Sequence, residues 1–202
     1  MRSYNQEIVD AVKSFLDEVA WRYRFDSDAG VFHFGVNLHG KIKNVQYYVG
    51  INERDYVVYA VSPLSVDQGD SDQMQKMSEF VCRANYGLRD GNFELDFRDG
   101  ELRYKCFMNC NGVIPNSNMV ASSIHCPAAM FDRYGKGIVQ ILFNDMSAED
   151  AIELCEGEMP SPVSHSEVDE AASSHLRDIL RRLRGDHERP SEDNSATVAS
   201  GE

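Results

Sequence analysis

Apolar positions at the start of the chain recur with a helical period. Ile8, Val12, Phe15, Leu16 and Val19 fall at i, i+4, i+7, i+8 and i+11, one stripe of an amphipathic helix, and Ser3 with Gln6 has capping-box spacing ahead of it. From Val31 the period becomes two. Phe32, Phe34, Val36 and Leu38 alternate with His33, Gly35 and Asn37, and His39-Gly40 supplies a turn. A second strand is expected over 42–51, with Val45, Tyr47, Val49 and Ile51 on one face, and a third over 56–61. Three consecutive strands with short turns predict an antiparallel meander.

Residues 62–72 hold Pro63, Gly69 and three acids and are expected to form a crossover loop. Met74, Met77, Val81, Ala84 and Leu88 then return at helical spacing around Gly87, a stop signal. Two further strands follow. Phe93, Leu95 and Phe97 alternate with Glu94, Asp96 and Arg98, Asp99-Gly100 marks a hairpin, and Leu102, Tyr104, Cys106 and Met108 line one face of the return strand. Helices are expected from Ser117 onward, with Pro127 marking a break or a first-turn position and Ile138, Ile141 and Leu142 on the apolar stripe of the second piece. Ser147 with Asp150 caps a short helix through Ala151, Leu154 and Cys155. The expected class is therefore α+β: a five-stranded antiparallel sheet made of helix, three-stranded meander, helix, hairpin and C-terminal helices, over residues 1–157.

Past that domain, 158–165 (Glu-Met-Pro-Ser-Pro-Val-Ser-His) reads as a linker, because X-Pro pairs disfavour helix. Val168, Ala172, Leu176, Ile179, Leu180 and Leu183 then form an amphipathic stripe over 166–185, acids early and arginines late. Residues 186–202 are polar, lack aromatics and are expected to be disordered. The stripe, above all Val168, Leu176, Ile179, Leu180 and Leu183, needs a surface to cover it. That surface is either its own domain or another polypeptide docked in the helix-in-groove mode.

Order and motif together resemble the YbjN-like family, whose fold is shared with type III secretion chaperones. The residues that carry the resemblance are 80–85 ending at Tyr86-Gly87, Gly91-Asn92-Phe93-Glu94-Leu95 leading into Asp99-Gly100-Glu101-Leu102-Arg103-Tyr104, and Phe131-Asp132-Arg133-Tyr134 ahead of a helical stretch. The resemblance implies a non-enzymatic α+β module, dimeric in the chaperone branch, that offers sheet and helix surfaces to partner polypeptides. It carries no catalytic residue set.

Charge narrows the partners. Lys and Arg number 20 against 33 Asp and Glu, a formal net of -13, which repels nucleic-acid phosphate and anionic lipid. Neither a nucleic acid nor a membrane is expected as a partner, and basic polypeptides are favoured. The start of the chain carries Glu7, Asp10, Asp17 and Glu18 where a signal peptide is basic and then apolar, so a cytoplasmic location is expected. The five cysteines are then expected to be reduced.

Candidate chemistry is sparse. Cys106, Cys110, His125 and Cys126 can be drawn as a zinc or thiol site, since thiolates and imidazole bind zinc tetrahedrally. However, Cys106 and Cys110 share the apparent core face, where cysteine behaves as a small hydrophobe. Adjacent His125 and Cys126 also point apart. Gly135-Lys136-Gly137 lacks the upstream glycine and strand of a phosphate loop, and Asp67, Asp70 and Asp72 lack the glycine and glutamate of a calcium loop. His33 and His39 read as solvated, and Trp21, with Tyr23 and Phe25 at the end of the first helix, reads as a cap on the sheet edge ahead of a partner anchor. No metal, cofactor or catalytic residue is assigned. The leading expectation is a cytoplasmic protein-binding module, chaperone-like or a regulatory adaptor, that forms a homodimer, with a thiol- or zinc-dependent site as the alternative.

Overall fold

Helix α1 (Gln6–Glu18) buries Ile8, Val9, Val12, Phe15 and Leu16, the predicted stripe. Its N-cap is Asn5, not the Ser3 of the expected capping box: the Asn5 side chain accepts the Glu7 N–H at 2.8 Å. The computed structural model describes residues 3–157. After α1 come β1 (Arg24–Asp26), β2 (Val31–Asn37), β3 (Asn44–Ile51), β4 (Asp55–Ser65), α2 (Ser71–Asn85), β5 (Asn92–Leu95), β6 (Glu101–Asn109), α3 (Ser117–Asn144) and α4 (Ala148–Glu156). The strands form one antiparallel sheet in the order β1-β2-β3-β4-β6-β5. The expected α+β class holds, with six strands in place of five.

The additional strand is β1, three residues long and too short to show alternation. Phe25, expected at the end of the first helix, pairs with Phe32 across the sheet. The turn that joins β1 to β2 is built by Asp26, whose carboxylate accepts the N–H groups of Asp28 and Ala29 (2.9 and 3.1 Å), and by Gly30 at φ +69°. β4 also runs further than expected, through Pro63 to Ser65. The ladder to β6 shifts register between Val61 and Ser65, which accommodates a residue with no N–H to donate.

At the β5–β6 hairpin the Asp99-Gly100 signal marks the right place, but the turn is longer than two residues. Asp96 accepts the Gly100 N–H at 2.8 Å, and Gly100 takes φ +74° beneath the Val66 carbonyl, where a Cβ would lie 1.9 Å from the oxygen. Phe97, expected on the strand, therefore lies in the turn and is exposed.

The largest departure is α3, a continuous helix of 28 residues with Pro127 inside it, where a break or a first-turn position was expected. A proline there removes one backbone donor and crowds the preceding turn. The sheet meets the helix at this point. The Tyr47 hydroxyl of β3 donates to the Ile124 carbonyl at 2.9 Å, in the turn that precedes the proline. One residue earlier the hydroxyls of Tyr56 (β4) and Ser123 bond at 2.9 Å, and Ser123 also bonds the Val120 carbonyl. Both tyrosines are fully buried, and burial pushes their phenols up, Tyr56 to about 12.

Side chains alternate cleanly across the sheet. Phe32, Phe34, Val36, Val45, Tyr47, Val49, Ile51, Tyr56, Val58, Ala60, Leu102, Tyr104 and Cys106 point to the helices and are buried with them. The opposite face carries no described helix. Among the described residues, no helix is long and apolar enough to cross a membrane.

Replacing Tyr47 by Phe leaves the ring in place and removes the buried hydrogen bond to the Ile124 carbonyl of α3. The variant is expected to lose about 1–3 kcal/mol of stability, read as a lower urea midpoint at unchanged denaturant slope.

Candidate functional site

Of the four residues drawn together in the sequence as a thiol or zinc site, the fold joins two. Cys106 projects from the inner face of β6 and Cys126 from α3, and both sulfurs lie against the Asp90–Gly91 backbone: the Cys126 thiol is 3.4 Å from the Asp90 carbonyl, and a Cβ on Gly91 would lie 2.9 Å from Cys106 Sγ. Cys110 lies past the end of β6, its thiol on the Met108 carbonyl at 3.7 Å. His125 points away, with its ring 5.8 Å from both Phe15 and Trp21. Among the described residues, no group of three or more His, Cys, Asp and Glu side chains comes together in a way that could hold a metal ion. The hydrogen bond from Cys106 holds the Cys126 thiol below its ordinary pKa, against burial that works to raise it, while Cys106 is pushed up as the donor.

The other residues singled out in the sequence have structural work. Trp21 caps the core edge between Phe34 and His125, Tyr23 packs on Phe32 and donates to Asp17 at 2.8 Å, and Phe25 packs on Phe32. Gly135 and Gly137 lie inside α3. A Cβ at Gly137 would meet Phe80, Cys155 Sγ and the Ala151 carbonyl at 2.7–2.9 Å, so this glycine serves helix packing. Asp67 bonds the Gly69 N–H, Asp70 is the N-cap of α2, and Asp72 pairs with Lys76. His39 is exposed, as expected for a turn. His33 is half-buried and stacks on Tyr48 at 4.7 Å. Val168, Leu176, Ile179, Leu180 and Leu183, with the linker, helix and tail expected past 157, lie outside the described residues.

The feature that sequence reading left unlocated is the sheet face that no described helix covers. Strand register sets its rows: His33, Tyr48, Tyr59, Lys105 and Asn92 in one, and Val31, Gly50, Val57 and Phe107 in the next. Gly35, Gln46, Val61, Arg103 and Glu94 form a third. The centre is apolar and aromatic, with Tyr48 41% and Phe107 58% exposed. The signal was present in the sequence, since Val57, Tyr59 and Val61 alternate with the core residues of β4. A strand apolar on both faces needs cover on both.

Charge on this face gathers toward β6 and β5. Arg103 lies over the Tyr59 ring at 4.4 Å and bonds Glu94 at 2.8 Å, and Lys105 bonds the same carboxylate. Burial works to raise the Glu94 pKa, and the two cations outweigh it, so the group stays ionised below its ordinary value. Beside this network, a groove of 530 Å³ runs between α2 and the β5–β6 hairpin, lined by Val81, Cys82, Leu95, Phe97 and Arg98 among others.

No protein-family model matches the chain, and no curated protein matches its sequence. The residues that carried the resemblance stated above have structural duties of their own. The Asn85 carboxamide accepts the Phe93 N–H at 2.7 Å and donates to the Phe93 carbonyl at 2.9 Å, so it stands in for a neighbouring strand on the open edge of β5. Phe93 meets Tyr104, Phe131 and Tyr134 edge-on at 4.8–5.6 Å. Asp132 accepts the N–H groups of His39 and Gly40 at 3.0 and 2.7 Å.

His125 gives a testable pH dependence. Burial pushes its pKa down, and its Nε2 has no hydrogen-bond partner, so the folded protein holds the neutral imidazole. The unfolded chain takes up that proton near pH ~6.5. The contribution to stability is therefore whole above that value and is lost as the pH falls toward the depressed folded value. His125→Phe is expected to keep the ring contacts and to show a smaller fall in melting temperature between about pH 7 and about pH 5 than the parent, measured by thermal unfolding.

Proposed function

We propose that this chain is a non-enzymatic protein-binding module, chaperone-like or an adaptor, and that a second copy of the same chain is the first partner of its sheet face. The observation that carries the reading is one-sided cover. The described helices pack on one face of a six-stranded sheet, and the other face keeps Tyr48, Val57, Tyr59, Val61 and Phe107 at its centre. Apolar area of this kind gains free energy when another polypeptide takes it from water.

Charge favours a second copy. The chain as a whole is strongly acidic, at -13, and two copies repel wherever their general surfaces meet. On this face Arg24, Arg103 and Lys105 stand against Asp26, Asp55, Glu94 and Glu101, close to balance, with the apolar centre on the middle strands. A two-fold axis through that centre sets apolar rows on apolar rows and leaves the charges of both signs at the rim. The element order and the hairpin motif support the same reading through the YbjN-like resemblance. The thiol- or zinc-dependent alternative has less support, because Cys110 and His125 stand apart from the Cys106–Cys126 pair.

The full chain at tens of micromolar is expected to sediment as a dimer. Phe107→Glu places an unpaired carboxylate in the middle of the face and is expected to weaken the dimer at least ~100-fold, with unchanged circular dichroism. A parent chain that is monomeric at that concentration, or a Phe107→Glu variant that dimerises as the parent does, removes the proposal.

A further inference from the structure

Three elements converge on the Cys106–Cys126 pair. Cys126 lies on α3 one residue before Pro127, Cys106 lies on the inner face of β6, and the loop between α2 and β5 covers both. The carbonyl of Asp90 in that loop accepts the Tyr104 hydroxyl at 2.6 Å and the Cys126 thiol at 3.4 Å, which uses both oxygen lone pairs. The next residue, Gly91, is at φ +77°. A Cβ there would lie 2.9 Å from Cys106 Sγ and 2.5 Å from both the Lys105 carbonyl and the Tyr104 ring. Only glycine lets the chain pass this close over the sulfurs.

The arrangement differs from that of the remaining cysteines. Cys82 is exposed on α2, Cys110 bonds the Met108 carbonyl, and Cys155 bonds the Tyr134 carbonyl. Cys106 is buried and Cys126 half-buried, and the loop over them carries the exposed Asp90. A small oxidant therefore has one thin layer of chain to pass, and the sulfur it meets first already has a second sulfur as its neighbour. That combination separates a reversible thiol pair from an isolated thiol carried to irreversible acids.

We propose that Cys106 and Cys126 are a peroxide-sensitive dithiol that closes to an intramolecular disulfide. Cys126 is the attacking sulfur. It is the less buried of the two, Cys106 beside it holds its thiol below the ordinary pKa, and the Tyr104 hydroxyl stands 3.9 Å away as a further polar neighbour. The thiolate attacks one oxygen of hydrogen peroxide, the O–O bond breaks, and the departing hydroxide takes up a proton to leave as water, so that Cys126 becomes a sulfenic acid. The Cys106 sulfur then attacks Cys126 sulfur, the S–S bond forms, the S–O bond breaks, and hydroxide leaves with the Cys106 proton as a second water. Two thiols and one peroxide give one disulfide and two waters, with two electrons passing from sulfur to oxygen. The product ties the strand to the helix beside Pro127.

The test uses the full chain carrying Cys82→Ser, which removes the exposed thiol from intermolecular exchange. One equivalent of hydrogen peroxide is added to the folded protein, free thiols are alkylated, and the chain is cleaved with chymotrypsin, because no Lys or Arg lies between Cys106 and Cys126 to let trypsin separate them. The expected result is loss of two thiols per chain, a mass lower by two hydrogens, and a Cys106 peptide joined to a Cys126 peptide, all reversed by dithiothreitol. Adding Cys126→Ser is expected to leave Cys106 reduced under the same treatment, and adding Cys110→Ser is expected to change nothing. Linkage of Cys110 in place of either cysteine, or Cys126 found as sulfinic acid with Cys106 still alkylated, overturns the proposal. Mapping the Cys82→Ser chain decides the matter even where the additional serine variants fail to fold.

Discussion

The fold depends on how one long helix is held to the sheet. Helix α3 crosses the inner face with a proline in its interior, and the hydroxyl of Tyr47 bonds the Ile124 carbonyl one turn before it. Tyr56 and Ser123 make a second buried bond at the adjacent residue. Hydrogen bonds in a dry interior are directional and costly to leave unmade, so these contacts set where along the helix the sheet must lie. Hydrophobic burial alone would tolerate a helix slid by a turn. The tyrosine hydroxyls do not.

That placement fixes what surrounds it. With α3 set by Tyr47 and Tyr56, Cys126 comes to rest against Cys106, and Phe131 and Tyr134 close on Phe93. Asp132 reaches the β2–β3 turn at His39 and Gly40, and Gly137 presents a bare backbone to Phe80 and α4. Each is a contact between α3 and a different element, and each needs the same helix position. The aromatic and charged motifs of the hairpin region are therefore parts of a packing scheme.

The sheet bears the functional argument because its two faces differ. The inner face is spent on the core. The outer face has Tyr48, Tyr59 and Phe107 across adjacent strands, with Arg103, Lys105 and Glu94 linked beside them. Linked charges and stacked rings lose less freedom on association than loose side chains do, which suits a surface that meets another polypeptide. The thiol pair lies on the opposite side of β6 from Lys105 and Phe107, so the proposed redox chemistry at Cys106 and the proposed contact at the sheet face use one strand from its two sides.

Much of the fold was legible because strong periodicity is a property of consecutive residues. The stripes of α1 and α2, the alternation in β2, β3 and β6, and the Ser147 cap of α4 all follow from spacing, as do the α+β class and the antiparallel pairing. The misses have a common cause. β1 is too short to alternate, Phe97 was drawn into a turn by the left-handed Gly100, and Pro127 stayed inside a helix that a tyrosine from a distant strand holds at the Ile124 carbonyl. The candidate chemistry divides in the same way: residue types in the sequence named Cys106, Cys110, His125 and Cys126 together, and only three-dimensional packing chose Cys106 with Cys126. Sequence by itself determined which residues prefer apolar surroundings and with what period. Tertiary structure decided which of those surroundings were filled, because a hydroxyl, a thiol or an open sheet face acquires its partner from elements far along the chain.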